Sequence, residues 1–410
     1  MLTKGNKLYF GEYSAEELVG RYGSPLFVYE EATIRERCKE LKSFVKNSNF
    51  RVNYSCKANN SIAILKIMRE EGMAVDAMSP GEIYLELEAG FTNDEILFIC
   101  NNVSKEEMRF AVEKGILMSV DSLSQLKYYG EINPGGEVFV RINPGIGDGH
   151  HAKVTTGGKS KFGVVIDEIP TIKEIAEKYN LKIVGINMHI GSLFLDPGKY
   201  LSAVNRLLEV SMNFDDLKFI DFGGGFGIPY KKKEEKRFPV EQFAKDFDQL
   251  LTKWKTLNNK ANITFIIEPG RYPVAESCTI LATVHSIKEN YQVKYIGTDM
   301  GMNLLIRPAM YGSYHEVVVC NNFESDNIET VTVCGNICES GDLIAEGREL
   351  PQINLNDTIA VLDAGAYGYS MSSNYNARLR PAEIMIGIDG KARVIREKEN
   401  MDWLLANQKY

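Results

Sequence analysis

A few polar residues stand at the ends of short apolar runs, where side chains that do chemistry often lie. They are Lys57 in "VNYSCKANN", His189 in "HIGS", Glu268 and Arg271 in "EPGR", and three consecutive glycines at 223–225. A lysine amine becomes a nucleophile only after it loses its proton, and burial favours that loss. Lys57 alone is more often a solvated strand-end residue, so its interpretation depends on the elements around it.

Eight apolar runs recur through the first two thirds of the chain, separated by segments with helical spacing. Three separators, "SIAILKIMREEG", "SPGEIYLELEAG" and "SKEEMRFAVEKG", end in glycine, a common signal at a helix C-terminus. Strands that alternate with helices form a parallel sheet, and eight repeats close a barrel, although an open doubly wound sheet is the alternative. The predicted strands are 52–58, 73–79, 95–101, 116–122, 137–144, 183–191, 217–225 and 264–271.

The pattern changes after about residue 275, where longer β-branched runs such as "CTILATVHSIKEN" and "YHEVVVCNN" replace the helical segments. We therefore predict an α/β protein with a parallel (β/α)8 barrel of the TIM type at 31–275. A second, C-terminal β-rich domain of sandwich or barrel-like form is expected at 276–410. The segment "PLFVYE" precedes the first helix, so we assign 1–30 to that second domain.

The C-terminal ends of barrel strands line the active site, and the loops after strands seven and eight often hold phosphate. Lys57, His189 and Glu268 fall at such ends, and the glycine triplet follows the seventh run. Consecutive glycines let backbone N–H groups approach an anion, although a tight turn alone would also use them. An amine, an anion cradle, a histidine and a carboxylate together suit a phosphorylated aldehyde, pyridoxal phosphate.

In this interpretation Glu268 keeps the pyridine nitrogen protonated and His189 lies against the ring face. The alternatives are a structural histidine and a surface acid beside Arg271, but the apolar "TFII" before Glu268 favours its burial. An aldolase that bonds its substrate through a lysine also uses a barrel, yet it would need neither Glu268 nor the triplet.

Composition argues against several other classes of protein. The 410 residues are 44% hydrophobic with a net charge of −8, which disfavours a nucleic-acid partner. No run is apolar and long enough to span a bilayer, and "MLTKGNKLYF" lacks a signal-peptide core, so we expect a cytoplasmic protein without a membrane partner. The seven cysteines are scattered, which predicts reduced thiols and no metal site.

Seven motifs, in this order, resemble the alanine-racemase-like (fold type III) pyridoxal-phosphate enzymes, and specifically the diaminopimelate decarboxylases. The resemblance covers nearly the whole chain, and its last three motifs are the most specific because they lie in the β-rich domain. The loops "FICNNVS" and "GHHAKVTTGGKSKFG" depart mildly from the family pattern. The motifs are "YSCKAN", "HIGS", "GGGFG", "EPGR", "RPAMY", "CESGD" and "DAGAYGYSMSSNYN".

The resemblance implies a role for each motif residue. The implied catalytic residues are Lys57, which bonds the cofactor aldehyde, His189, and Cys338 as proton donor. The family pairs two chains so that "CESGD" enters the partner's barrel, which makes a homodimer with shared sites the expected assembly. The implied cofactor contacts are Lys57, His189, Ser192, Gly223, Gly224, Gly225, Glu268, Pro269, Gly270, Arg271 and Tyr367. The implied substrate contacts are Arg271, Arg307, Tyr311, Glu339 and Tyr367.

The implied reaction is the decarboxylation of meso-2,6-diaminopimelate to L-lysine. The far end of this substrate carries a carboxylate, which calls for the guanidinium of Arg307, and an ammonium, which Glu339 can take. A decarboxylase of ornithine or arginine is the alternative. A racemase of this fold should place an arginine at the pyridine nitrogen, and a carrier of the cofactor should lack the β-rich domain. Structural roles are also open: Cys338 as a buried small hydrophobe, Arg307 as an interface brace.

Overall fold

The computed structural model describes residues 2–148, 151, 156–322 and 326–409. It divides the chain into two compact units. The barrel unit comprises Arg35–Pro229 and Lys236–Tyr272, and the β-rich unit comprises Met1–Ile34, Tyr230–Glu235 and Pro273–Tyr410. Part of the loop at 149–163 lies outside the described residues. No helix within the described ranges is long and apolar enough to cross a membrane.

The barrel unit contains a closed ring of eight parallel strands. Each strand pairs with its neighbour in the chain, and the eighth pairs with the first, for example Val52 with Ile267. Each of the eight predicted runs overlaps one of these strands, so the prediction of a barrel rather than an open sheet is confirmed. The strands are Asn49–Ser55, Ala74–Ala77, Ile96–Ile99, Leu117–Val120, Glu137–Asn143, Lys182–Asn187, Phe219–Asp221 and Thr264–Ile267.

Helices connect the barrel strands. The sequence of each helix contains residues that favour its start or its end, as the helix Lys105–Glu113 shows. Ser104 accepts a hydrogen bond from the backbone of Glu107, whose side chain accepts one from the Ser104 backbone. This capping box satisfies backbone N–H groups that the first turn leaves without partners. The helices between strands are Ile62–Glu70, Pro80–Glu88, Lys105–Glu113, Leu123–Ile132, Ile169–Tyr179, Gly198–Ser211 and Val240–Asn258, and Glu31–Lys42 precedes the first strand.

The β-rich unit is built on a nine-stranded sheet around the long strand Cys278–Asn290. The first half of this strand pairs antiparallel with Leu26–Glu30 and Thr358–Val361, and its second half pairs with Val293–Thr298. The sheet is completed by Val317–Val319, Ile328–Cys334, Leu343–Pro351, Glu383–Ile386 and Ala392–Arg396. A small three-stranded sheet (Leu2–Lys4, Lys7–Phe10 and Tyr13–Ser14) and the helices Ala15–Tyr22 and Arg307–Tyr311 also belong to this unit.

Candidate active site

Lys57 and Glu268 lie at the same end of the barrel. The first strand ends at Ser55, and Lys57 follows in the single 3-10 turn Cys56–Ala58. The eighth strand ends at Ile267, and the backbone N–H of Ser55 donates to the carbonyl of Pro269 over 3.2 Å. Because the two strands are hydrogen-bonded neighbours, their C-terminal ends bring the lysine motif and the "EPGR" motif together.

Three buried carboxyl groups surround this position. Asp76 and Asp221 are fully buried and Glu268 is 6% exposed. The hydroxyl of Ser55 donates to Asp76 Oδ2 at 2.7 Å, and Ser55 Oγ also lies 3.2 Å from the carbonyl oxygen of Glu268. The carboxyl oxygen Oε1 of Glu268 has no hydrogen-bond partner among the described residues. Acids buried this deeply need a proton or a cation beside them.

Electrostatics in this cluster favour protonated or shared-proton carboxyls. Burial raises the pKa of Asp76 to about 7, while the positive charge of Lys57 and the Ser55 hydroxyl act in the opposite direction. Burial, and then the charges of Asp221 and Asp76, raise the pKa of Glu268 well above its ordinary range, against the opposing effect of Lys57. A carboxyl in this state can share a proton with a basic nitrogen placed against it.

His189 is a neutral imidazole in this arrangement. The backbone N–H of Gly224 donates to His189 Nδ1 over 3.2 Å, so that nitrogen accepts and carries no proton. Burial, followed by the charges of Lys57 and Arg141, lowers the pKa of His189 well below its ordinary value. The residue is partly exposed in the chain.

The glycine triplet admits no side chain. A Cβ on Gly224 would lie 1.9 Å from the carbonyl oxygen of Glu268, and one on Gly223 would lie 2.2 Å from that of Met188. Gly223 and Gly225 also have φ values of +67° and +117°, which favour glycine. The triplet therefore forms a tight turn and also packs directly against the backbones of Met188 and Glu268.

Ser192 and Arg271 lie beside the triplet. Phe194 donates its backbone N–H to the carbonyl of Gly225 over 3.1 Å, which packs the "HIGS" loop onto the triplet. Arg271 Nη2 donates to Ser192 Oγ over 3.2 Å, and the arginine is only 5% exposed. A guanidinium and a hydroxyl beside the glycine turn form a donor pair suited to a phosphate.

Sequence analysis missed Asp76 and Asp221. Both stand inside strands rather than after them, in "AVDA" and "FID". Asp221 accepts the backbone N–H of Gly223 over 2.8 Å and so supports the start of the triplet turn. The available signal was a single carboxylate within an apolar strand, a placement that burial allows only with a specific partner.

In the β-rich unit, Arg307 is 1% exposed and begins the helix Arg307–Tyr311. Its Nη1 lies 2.7 Å from His315 Nε2, and its guanidinium carbon lies 4.5 Å from the centre of the Tyr230 ring. Tyr311, at the end of the same helix, is partly exposed, as is Tyr367. Arg307 is thus held within its own unit.

The "CESGD" loop presents its thiol to the surface of the chain. Cys338 and Glu339 are exposed, so Cys338 is not the buried small hydrophobe that was its structural alternative. Asp342 shapes the loop by accepting the backbone N–H groups of Ile337 at 2.7 Å and Met302 at 2.5 Å. The backbone N–H of Cys338 donates to Asn376 Oδ1 at 2.7 Å.

Comparisons with known proteins agree with this geometry. Residues 31–275 match the model of the pyridoxal-binding domain of pyridoxal-dependent decarboxylases. A diaminopimelate decarboxylase of Methanothermobacter thermautotrophicus is 44% identical over 99% of this chain and 96% of its own length. The Escherichia coli K12 diaminopimelate decarboxylase is 34% identical, over 96% of this chain and 97% of its own.

Solved structures agree as well. The crystal structure of the M. jannaschii diaminopimelate decarboxylase in co-complex with L-lysine has a TM-score of 0.88 and 31% identity, covering 99% of this chain and 97% of that one. The barrel and the family match over residues 31–275 identify a pyridoxal-phosphate-dependent decarboxylase. More particularly, this chain belongs to the diaminopimelate decarboxylase family. The racemase, aldolase and carrier alternatives are thereby set aside.

Proposed function

We propose that this chain decarboxylates meso-2,6-diaminopimelate to L-lysine and carbon dioxide. The observation that carries the proposal is the charge cluster at Lys57, whose positive charge acts on both Asp76 and Glu268. This cluster occurs in a chain that is similar to a diaminopimelate decarboxylase over 99% of its length. Structures of two such relatives are complexes with L-lysine, the product of this reaction.

Pyridoxal phosphate, when bound, supplies an aldehyde for an amine and a protonated ring that takes up the electron pair left by departing carbon dioxide. The residues present fit this group, because a buried carboxyl oxygen of Glu268 lacks a described partner and the Arg271 guanidinium lies with the Ser192 hydroxyl beside the glycine triplet. The residues that would hold it are Lys57, His189, Ser192, Gly223, Gly224, Gly225, Glu268, Pro269, Gly270, Arg271 and Tyr367.

Each of these side chains has a distinct task. Glu268 would share its proton with the ring nitrogen of bound pyridoxal phosphate, which its raised pKa allows. Asp76 would balance the positive charge of Lys57. The neutral His189 would pack against the cofactor ring without adding charge. Cys338 returns a proton to the carbon that carbon dioxide leaves.

The β-rich domain, 276–410 with 1–30, supplies substrate contacts and the dimer interface in this proposal. Arg307 takes the far carboxylate with the help of Tyr311, and Glu339 takes the far ammonium, while Arg271 and Tyr367 complete the substrate contacts. The exposed "CESGD" loop enters the barrel of a second copy, so the working enzyme is a homodimer. We further propose a cytoplasmic location.

The test measures carbon dioxide and L-lysine released from meso-diaminopimelate, with ornithine, arginine and lysine as competing substrates. Turnover should be confined to diaminopimelate, because the other amino acids lack the far carboxylate. Arg307→Lys should lower that turnover at least tenfold while the cofactor absorbance is unchanged, since an ammonium cannot make a bidentate contact. Arg348→Lys, which alters an arginine stacked on Tyr314 in the same unit, is the control. Equal activity on ornithine would assign the chain to the alternative reaction.

A further inference from the structure

The guanidinium of Arg307 contacts a buried histidine, His315. Sequence patterns assigned no role to this histidine. His315 is fully buried, and its two ring nitrogens have different partners. Nε2 lies 2.7 Å from Arg307 Nη1, and Nδ1 lies 2.8 Å from the carbonyl oxygen of Leu362. The imidazole therefore bridges the guanidinium and the backbone at the end of the strand Thr358–Val361.

We propose that His315 is a positioning residue that fixes the Arg307 guanidinium for a ligand carboxylate and so sets the preference of the site for amino acids over simple diamines. The inference rests on the proposed function, which assigns Arg307 to the far carboxylate. The new element is His315, whose hydrogen bond orients the Arg307 guanidinium.

The hydrogen bonds determine the tautomer of His315. A guanidinium nitrogen only donates, so Nε2 must accept and carries no proton. A carbonyl oxygen only accepts, so Nδ1 must carry the proton and donate to Leu362. His315 is therefore neutral, and both of its nitrogens are used.

Tyr230 contributes a second neutral surface. Its ring centre lies 4.5 Å from the Arg307 guanidinium carbon and 5.1 Å from the centre of the His315 ring, with the two rings at 72° to each other. The π face of a tyrosine attracts a cation without neutralising it. His315 and Tyr230 therefore fix the plane of the guanidinium, and neither of them brings a negative charge to it.

Orientation matters because a guanidinium binds a carboxylate through a planar pair of donors. A side chain with several rotatable bonds loses entropy when a ligand must order it, and prior fixation removes much of that cost. Arg307 is already 1% exposed and anchored at one donor nitrogen. A ligand with a carboxylate then gains the contact without reordering the arginine, whereas a ligand without one gains nothing from it.

The test compares two probes on the holoenzyme, L-lysine and 1,5-diaminopentane. L-lysine is the product of the proposed reaction, and its one carboxylate is the far carboxylate of the substrate, which 1,5-diaminopentane lacks. Their dissociation constants are measured by calorimetry for the wild-type enzyme and two variants. His315→Asn keeps a donor for the Leu362 carbonyl but removes the acceptor for Arg307. His315→Gln places an amide oxygen near the Nε2 position and keeps the acceptor.

We expect His315→Asn to weaken L-lysine binding about tenfold, as for the loss of a hydrogen bond to a charged group, and to leave 1,5-diaminopentane binding within about twofold. His315→Gln should keep the wild-type preference within about threefold. Equal weakening of both probes would identify a structural role only and overturn the inference. If the Asn variant does not fold, the Gln variant decides, because loss of the preference with cofactor still bound would also overturn it.

Arg307→Lys, measured with the same two probes, separates the inference from the function on which it rests. If this variant keeps the wild-type preference for L-lysine, the assignment of Arg307 fails and the role of His315 fails with it. If Arg307→Lys loses the preference but His315→Asn keeps it, Arg307 binds the carboxylate without His315, and only the positioning role is wrong.

Discussion

The backbone N–H of Gly224 donates a hydrogen bond to Nδ1 of His189 over 3.2 Å. One contact therefore joins the glycine turn after the seventh strand to the histidine that follows the sixth. The same glycine packs so closely on the carbonyl of Glu268 that a Cβ would lie 1.9 Å from it. Gly224 thus contacts both the side chain of His189 and the backbone of Glu268. A substitution that moves the turn should therefore displace both residues.

Gly224→Ala should destabilise the protein by about 2 kcal/mol or more and prevent cofactor binding, because the backbone of Glu268 must move to admit a methyl group. Cofactor absorbance and thermal unfolding measure the two effects. The control is Gly20→Ala in the helix Ala15–Tyr22, where a Cβ meets nothing within 4 Å, and we expect it to stabilise slightly. A Gly224→Ala enzyme with normal cofactor content and stability would show that the turn is adaptable.

Lys57 should bond covalently to pyridoxal phosphate. The purified enzyme should be yellow, and borohydride should fix the cofactor to the peptide that contains Lys57. Lys57→Ala should abolish this labelling, and Lys66→Ala, an exposed position on the next helix, should leave it intact. Labelling of a different lysine in the wild-type enzyme would refute the assignment.

Glu86 should make the folded protein less stable as the pH rises. This side chain is fully buried on the helix Pro80–Glu88, and its carboxyl group has no cationic partner among the groups that shift its pKa. Burial, and then the charges of Asp76 and Glu82, raise its pKa to about 9. The unfolded chain releases this proton near 4.5, so the contribution to stability is complete below that pH and is lost as the pH rises to about 9.

Glu86→Gln removes this titration, so the Tm of the variant relative to wild type should increase from pH 5.5 to pH 8.5 by a few degrees. Glu88→Gln, an exposed change on the same helix, should alter Tm little and equally at both pH values. A Tm difference for Glu86→Gln that does not change with pH would show that Glu86 ionises at its ordinary pH in the folded protein.

Subunit exchange should restore activity between two inactive variants if active sites are shared. Lys57→Ala and Cys338→Ala should each be nearly inactive. With random mixing, about half of the dimers contain one of each, and each such dimer carries one intact site, so about a quarter of wild-type activity should return. Absence of recovery, with exchange demonstrated by mass spectrometry, would place both residues in the site of a single chain.

The number and order of barrel strands could be predicted because periodicity and glycine stops recur with each repeat. The strand ends were less predictable. The run predicted at 217–225 contains only the strand Phe219–Asp221, because the positive φ of Gly223 turns the chain away from the sheet. Composition cannot distinguish a glycine that extends a strand from one that ends it.

The buried acids show a different limit. Alternation along a strand indicates which face is polar, but barrel strands are covered on both faces, so Asp76 gives no alternating signal within Ala74–Ala77. The bridge from Arg307 through His315 to Leu362 joins residues distant in the chain, and only tertiary structure brings them together. Local sequence patterns predicted which residues could react, but they did not predict which buried side chains contact and orient those residues.

The strand Leu26–Glu30 has a consequence for synthesis on the ribosome. It pairs with Cys278–Asn290 and Glu383–Ile386, so it must wait for nearly the whole chain to emerge. The barrel residues, which lie between Leu26–Glu30 and these two partner strands, are translated before the partner strands and contain all eight barrel strands. Because domains generally fold as units during synthesis, the barrel can form while the N-terminal segment is still unpaired. A deletion that removes residues up to 30 should therefore damage the last unit to fold rather than the adjacent one.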